Sequence, residues 1–183
     1  MEPLQFLLTR RSCGKLVAPA PCGEARANLF RAAVNVPDHG RLRPWRFITA
    51  EGADLQRLGD ILAAAEQTRG GDEAAVARAR SLPGRAPLVV MVVARLKPHD
   101  KVPPWEQQAA AVCAAHALQM AAVAQGFGAI WRTGYFARDA GVAAALQLAD
   151  GESLVGFIYI GTPAEQMPQP PQQDLAQLVS ALP

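Results

Sequence analysis

The sequence predicts one compact domain of the α/β or α+β class. Its 183 residues are 50% apolar and 19% charged, which supplies enough apolar material for one sizeable buried core. The continuous apolar run 88–94 is typical of a central strand buried on both faces. The segment 105–125 is apolar on nearly all sides, a pattern typical of a long buried helix.

Helix and strand patterns alternate in the first half of the chain. Apolar periodicity predicts helices over residues 3–10, 23–34, 53–67 and 72–80, and a short strand over 46–50. Pro37 ends the second helix, and Pro44 precedes the strand. The third and fourth helices carry charged outer faces, so we expect them to form a solvated excursion.

The second half contains the remaining strands and the end of the long helix. Gly126 ends that helix, and we expect a strand over 129–131, a helix over 139–146 and a last strand over 154–160. Dinucleotide-binding glycines follow a strand and open a helix, whereas Gly126 and Gly128 follow a helix and open a strand, which excludes a Rossmann site. From about residue 163, prolines favour an extended tail. The apolar residues after it are able to dock on the core, namely Leu175, Leu178, Val179 and Leu182.

Charge and cysteine content limit the classes of function. The formal net charge is +2 with acidic and basic residues mixed, so no nucleic-acid groove is indicated and small molecules or a second copy are the expected partners. The cysteines are odd in number, lack CxxC spacing and follow no signal peptide, so we expect reduced thiols, no disulfide and a cytoplasmic location. The apolar stretch 109–124 is short and interrupted by His116 and Gln119, so no membrane span is expected.

Several familiar catalytic patterns are absent or incomplete. Cys113 and His116 lie three positions apart on one helical face, but no second ligand pair accompanies them, so core packing is favoured over a metal site. No serine lies in a G-x-S-x-G elbow, and no Walker A loop occurs. Asp38 and His39 are adjacent, so their side chains rarely face each other, and both fit a polar turn after Pro37.

Three separated polar patches remain, each at the end of a predicted element. The first sets two guanidinium groups and a hydroxyl behind a helix and suits a phosphate, although a solvated Arg pair is the simpler interpretation of that tripeptide alone. If the fold brings the patches together, they are able to hold a phosphate and a polar planar ring. The patches are Arg10-Arg11-Ser12, Asn35-Val36-Pro37-Asp38-His39 and Trp131-Arg132-Thr133.

Several motifs, in this order, resemble those of the FMN-dependent nitroreductase family. The likeness runs from about Leu4 to Pro163 and is strongest to the small YdjA-like branch of NAD(P)H nitroreductases. Any one motif is weak, but four in order with compatible spacing are specific. They are Arg10-Arg11-Ser12, Pro37-Asp38-His39 followed by Pro44-Trp45, Ala124-Gln125-Gly126-Phe127-Gly128 followed by Trp131-Arg132, and Gly161-Thr162-Pro163, with Trp105-Glu106-Gln107 at the start of the long helix.

The resemblance implies an α+β, nitroreductase-like fold with a central, mostly antiparallel sheet flanked by helices around a long buried helix. It implies one FMN-binding domain over 1–183 and an intertwined homodimer that binds two FMN molecules at its interface. The implied reaction moves hydride from NADH or NADPH through FMN to an oxidised acceptor such as a nitroaromatic, quinone or enone. FMN carries that chemistry, so no catalytic side chain or metal is expected. A flavin storage protein, or dedicated flavin chemistry on the same fold with little nitroreductase turnover, is the alternative.

The resemblance also assigns cofactor contacts to particular positions. Arg10, Arg11 and Ser12 would contact the flavin from one chain, with Asn35 and His39 contributing around the same flavin. The partner chain would supply Trp131, Arg132 and Thr133. The nicotinamide cofactor would lie at the end of the long helix, at Ala121, Ala122, Val123, Ala124, Gln125 and Gly126.

Three departures from the family pattern affect these expectations. Gly14 stands where the wider family often has another Arg, so Lys15 is the candidate substitute cation. Asn35 replaces an Arg, and a neutral hydrogen bond contributes about 1 kcal/mol where a charge-assisted one contributes about 1.5 to 3 kcal/mol. Thr133 replaces Ser but keeps the hydroxyl. The sequence does not predict whether NADPH or NADH is preferred. The arginines at 41, 43 and 46 are able to meet a 2′-phosphate, but a solvated basic turn is the favoured interpretation.

Overall fold

The computed structural model describes residues 2–165, 168, 170–171 and 173–182. Its helices are α1 (Pro3–Thr9), α2 (Gly23–Ala33), α3 (Ala53–Thr68), α4 (Glu73–Ser81), α5 (Pro104–Ala124) and α6 (Ala140–Ala145). Its strands are β1 (Leu16–Val17), β2 (Trp45–Glu51), β3 (Leu88–Arg95), β4 (Gly128–Arg132) and β5 (Glu152–Pro163). Short 3-10 helices cover His39–Arg41, Pro83–Arg85, Tyr135–Arg138 and Leu175–Gln177. The predicted helices and longer strands all form, whereas the two-residue β1 carries too little pattern to be predicted.

The strands form one antiparallel sheet in which β3 lies between β2 and β5. Trp45 pairs with Ala94 at one end of the β2 and β3 ladder. On its other side β3 pairs with β5, which also pairs with β4 and, at its end, with β1. This arrangement confirms the expected antiparallel α+β sheet and the central position of β3.

Alternate residues of β3 enter two cores on opposite faces of the sheet. Val90 and Val92 pack with α2 and α5, whereas Val89 and Met91 pack on the side of α3, α4 and α6. Every residue of β3 except Arg95 is buried, because helices cover both faces. The sheet is therefore the middle of three layers, as a strand apolar on both faces requires.

The long helix α5 is the buried centre of one layer, but one stripe of its surface lies outside the core of this chain. Ala111, Ala114 and Leu118 on the inner side have no exposed surface. On the outer side, Trp105 is 69% exposed and Val112 is 38% exposed. A single chain therefore leaves an apolar stripe of its central helix uncovered.

Apolar side chains at both ends of the chain are also exposed. None of the residues of α1 is buried, and its leucines at 4, 7 and 8 are more than half exposed. The apolar residues after the tail do not dock on the core, because Leu175, Leu178, Val179 and Leu182 are all mostly exposed, so that expectation is wrong for this chain. Within the predicted Pro-rich tail, Gln166, Met167, Gln169 and Gln172 lie outside the described residues.

The structure bears on the predictions made for the cysteines, for a metal site and for a membrane span. Cys13 is buried, Cys22 and Cys113 are exposed, and all three are free thiols. Cys113 and His116 both lie on the exposed side of α5, so neither is a core residue as the packing interpretation expected. Across the described part of the chain, no group of three or more potential metal ligands occurs. No helix in that part is long and apolar enough to cross a membrane.

Candidate functional site

The Arg10-Arg11-Ser12 segment runs from the end of α1 onto the edge of the sheet. Arg10 ends α1 with extended backbone angles, φ −56° and ψ 140°, so the helix cannot continue. Three residues later, the Cys13 backbone N–H donates to the Ala129 carbonyl of β4 over 2.9 Å. The segment is therefore fixed against β4 of its own chain.

A cavity of about 230 Å³ separates this segment from the C-terminal end of α5. Arg10 and Arg11 line one side, and Val123, Gly126 and Phe127 line the other. Two predicted sets of residues therefore meet at this cavity. Arg10 and Arg11 belong to the predicted flavin contacts, and Val123 and Gly126 belong to the predicted nicotinamide contacts. The cavity is the natural place for a ligand that carries an anionic group.

The end of α5 has the geometry that its glycine predicts. Gly126 has φ +87°, and the N–H groups of Gly126 and Phe127 donate to the carbonyls of Val123 and Ala122 over 3.0 Å each. This is a Schellman ending, which favours glycine because other residues are strained at such an angle. It confirms that Gly126 ends a helix.

The six residues of the nicotinamide prediction differ in their accessibility. Ala122 has no exposed surface and belongs to the core, so its side chain cannot meet a cofactor. Ala121 and Val123 are half-buried, whereas Ala124, Gln125 and Gly126 are exposed. Gln125 uses its amide within the protein, donating to the carbonyls of Ala25 and Ala121. This leaves Val123 and Gly126 as the residues of the set that line the cavity.

The Trp131-Arg132-Thr133 patch lies at the end of β4, beside the first patch of the same chain. The Arg132 Nη2 atom lies 3.8 Å from the position that a Cβ would take on Gly14. Trp131 packs its indole over β5, where a Cβ on Gly156 would lie only 2.3 Å from the indole Nε1. Arg132 therefore lies beside residue 14 of its own chain, because the segment 13–14 runs alongside β4, and the division of flavin contacts between two chains stays a prediction.

Buried hydrogen-bond donors without a partner and positive charge occur at the end of the molecule that carries the first and third patches. Among the described residues, the Arg10 Nε and Trp131 Nε1 atoms are buried and have no hydrogen-bond partner. Burial raises the pKa of Tyr159, and the nearby charges of Arg132 and Arg85 oppose that rise. Arg132 forms no ion pair within the described part of the chain. The Arg10 donor belongs to a positively charged segment that suits an anion, whereas the Trp131 donor is turned against Gly156.

His39 of the second patch lies at the opposite end of α5. His39 Nδ1 is 2.6 Å from a carboxylate oxygen of Glu106, in the first turn of α5. Asn35 is exposed just beyond the end of α2. At about 1.5 Å per helical residue, Glu106 and Val123 are about 25 Å apart along α5. One chain therefore brings the first and third patches near each other and leaves His39 far from both.

Three contacts show what sequence reasoning missed. Glu106 received no role, because its pairing with His39 joins residues 67 positions apart and no local spacing indicates it. Lys15, the candidate substitute cation, is instead paired with Glu165 over 2.9 Å, and both side chains are more than half exposed. Arg11 donates to the Pro168 carbonyl over 3.4 Å, so the tail returns to the first patch.

Comparison with known proteins agrees with this architecture. Residues 7–162 match the model of the nitroreductase family. The chain is 44% identical over 163 residues, 89% of each protein, to "Putative NAD(P)H nitroreductase YdjA" of Escherichia coli strain K12. The structure of a nitroreductase-like family protein from Bacillus cereus superposes with a TM-score of 0.84 at 19% identity, covering 100% of this chain and 96% of the other.

A second solved structure shares the fold at a similar level of sequence identity. It is a mutant of the FMN and NADPH-dependent nitroreductase NfnB from Sphigopyxis sp. strain HMH, with a TM-score of 0.76, 20% identity and 99% coverage of both chains. The family match spans most of the chain, and the curated relative is well above 30% identity over nearly its whole length. The chain therefore belongs to the nitroreductase family, and it is an oxidoreductase.

Proposed function

We propose that this protein is a homodimeric, FMN-dependent NAD(P)H oxidoreductase that reduces a small oxidised acceptor such as a nitroaromatic, quinone or enone. The observation that carries the proposal is the cavity between Arg10, Arg11 and the end of α5. Its charge, its uncompensated donor and its position next to Arg132 fit a ligand with a phosphate at one end and a polar ring at the other.

The residues at this end fit FMN. Arg10, Arg11 and Ser12 would hold the phosphate, because two forked guanidinium groups and a hydroxyl offer several donors to its oxygens. Arg132 and Thr133 would lie along the ring or ribityl chain from the same protomer. When bound, FMN supplies hydride transfer between the reduced nicotinamide and the acceptor, while positive side chains near the ring favour its anionic reduced form.

A second protomer completes the site in this proposal. His39 lies about 25 Å along α5 from the cavity of its own chain, so it would serve the flavin held by the partner. Asn35, exposed beyond the end of α2, would serve that same flavin. The uncovered apolar stripe of α5 and the exposed leucines of α1 supply the surface that a partner would bury. Each of the two sites would then draw residues from both chains.

The reductant and the acceptor would take the same open side of the flavin in turn. Val123 and Gly126 line the cavity and are the part of the nicotinamide prediction that a ligand is able to reach. Ala124 is exposed beside them and would border the same ligand, whereas Ala122 would act only through packing. The chain itself would bind and orient both substrates and exclude water.

Anaerobic stopped-flow of the purified, FMN-loaded dimer tests this function directly. We expect one FMN for each chain and loss of the oxidised flavin absorbance on mixing with NADH or NADPH, followed by its return with an acceptor. A protein that binds FMN but is reduced by neither nicotinamide would overturn the reductase proposal.

A further inference from the structure

The turn that carries His39 contains two strained arginines. Arg41 has φ +53° and Arg43 has φ +49°, in the left-handed region that residues with a side chain rarely adopt. Such strain costs on the order of 1 kcal/mol or more for each residue and persists only where the surroundings impose it. Two such residues within three positions therefore indicate a turn held in one shape.

Specific contacts hold this turn, which spans residues 38–43. The two Asp38 carboxylate oxygens accept the backbone N–H groups of Leu42, over 3.2 Å, and Arg43, over 2.7 Å. Lys97 Nζ donates to the Leu42 carbonyl over 2.9 Å. The turn is thus fixed from within by Asp38 and from outside by the loop that follows β3.

That loop is itself fixed to α5 by a buried glutamine. Gln107 is 2% exposed, accepts the Lys97 N–H over 2.9 Å, and donates to the carbonyls of Lys97 and Val102. The loop and the 38–43 turn are therefore held on the same end of α5.

The exposed charges of this surface are mainly positive. Arg41 and Arg43 are exposed and form no ion pair or side-chain hydrogen bond among the described residues. Lys97 and Lys101 add positive charge from the neighbouring loop, and Asp100 is the exposed acid between them. The nearby carboxylates of Asp38 and Glu106 are already engaged, by backbone N–H groups and by His39.

The third arginine of this stretch belongs to a different structure. Arg46 donates from Nε and Nη2 to the two oxygens of Glu152, over 2.8 and 2.6 Å. Its guanidinium is therefore committed to bracing β2 against β5. The structure thus separates the two arginines that remain available for a ligand from one that is not.

We propose that Arg41 and Arg43 bind the 2′-phosphate of NADPH and give this protein a preference for NADPH over NADH. The inference rests on the proposed function, which places His39 of this turn at the partner's flavin. Consecutive Cα atoms are about 3.8 Å apart, so the Cα of Arg41 lies within about 8 Å of that of His39. Two forked guanidinium groups match a dianionic phosphate, and NADH lacks that group. The strained backbone then keeps both charges on one fixed turn.

The test replaces both arginines by Asn, which removes the charge while tolerating a left-handed backbone. In the Arg41→Asn/Arg43→Asn protein we expect kcat/KM for NADPH to fall about tenfold and that for NADH to stay the same, since charged hydrogen bonds are lost with NADPH alone. The Kd of adenosine 2′,5′-bisphosphate should rise by about the same factor in calorimetry, whereas that of 5′-AMP should not change. This binding measurement does not depend on flavin chemistry.

Two control variants sharpen the result. The Arg41→Lys/Arg43→Lys protein keeps the charge and should retain most of the NADPH preference, and Arg78→Asn on the outer face of α4 should change nothing. If the Asn variant fails to fold, Arg41→Gly/Arg43→Gly removes the charge and relieves the backbone strain.

The failures are distinguishable. A folded Asn or Gly variant with unchanged bisphosphate affinity and an unchanged NADPH to NADH ratio would overturn the inference. So would inorganic phosphate that binds to the wild-type turn as tightly as the bisphosphate does, since the surface would then be a general anion site. A wild-type flavin that neither nicotinamide reduces overturns the proposed function instead.

Discussion

The two ends of α5 carry polar sites of different construction. At the C-terminal end, Arg10 and Arg11 line a cavity whose other wall is the helix ending, and the Arg10 Nε atom is buried without a partner. At the N-terminal end, the polar groups are exposed and already paired, His39 with Glu106 and Asp38 with backbone N–H groups. The first is a concave surface lined by two arginines, and the second is an exposed turn held in one shape. In the proposed homodimer, each flavin site would combine the cavity end of one chain with the turn end of the other.

The cavity end should dominate flavin affinity. Replacing Arg10 and Arg11 by Ala removes two charged donors to the phosphate, so we expect the Kd of FMN to rise on the order of a hundredfold or more. The protein should remain a folded dimer, because α1 contributes no buried residue to the core of its own chain. Fluorescence titration of the apoprotein with FMN measures the change.

A matched double variant, Arg57→Ala/Arg78→Ala on α3 and α4, changes the net charge equally and should leave FMN affinity unchanged. If the Arg10 and Arg11 variant keeps its flavin with the affinity of the wild type, the phosphate assignment is wrong.

The end of α5 that carries His39 should contribute less to FMN affinity than the cavity end. Glu106→Gln weakens the pair that holds His39 Nδ1, and we expect FMN affinity to fall by up to about tenfold through loss of His39 orientation. The His39 side chain is 60% exposed, so the free energy of unfolding should change by about 1 kcal/mol or less. Nitrogen-15 spectra of the His39 ring report the tautomer independently of activity. An unchanged ring spectrum together with unchanged FMN affinity would show that Glu106 does not position His39.

Local patterns predicted the parts of this fold that depend on neighbours in sequence. The apolar run of β3 and the stop at Gly126 needed only periodicity and backbone chemistry. The pairing of His39 with Glu106 and the approach of Arg132 to Gly14 depend on contacts far apart in sequence, which no spacing shows. The strain at Arg41 and Arg43 also escaped prediction, because both residue types are ordinary in a solvated turn.

The ion pairs of Glu152 should affect the stability of the fold but not the affinity for flavin. Arg46 and Arg95 both pair with the Glu152 carboxylate, whose side chain is 7% exposed, and the hydrogen bond from Arg46 holds its pKa at about 2, below the ordinary 4.5. Because the folded pKa is depressed, this contribution to stability is complete above pH 4.5 and is lost as the pH falls toward 2.

Glu152→Gln should therefore lower the free energy of unfolding by about 1.5 to 3 kcal/mol at neutral pH. The difference from the wild type should shrink in acid, and FMN affinity should not change. Denaturant unfolding across this pH range checks the prediction. A difference that stays constant down to the lowest pH would show that the carboxylate charge is not the stabilising feature.

The claim that each flavin is held by the cavity of one chain and the turn of the other is tested most directly by mixed dimers. One chain carries Arg10→Ala/Arg11→Ala and the other carries Asn35→Ala/His39→Ala, with different affinity tags so that the heterodimer is isolated. In a shared arrangement the heterodimer contains one intact site and one doubly damaged site, so it should bind one FMN with the affinity of the wild type. Neither homodimer should do so. A heterodimer with no tight site would show that each chain builds its own, and would contradict the account.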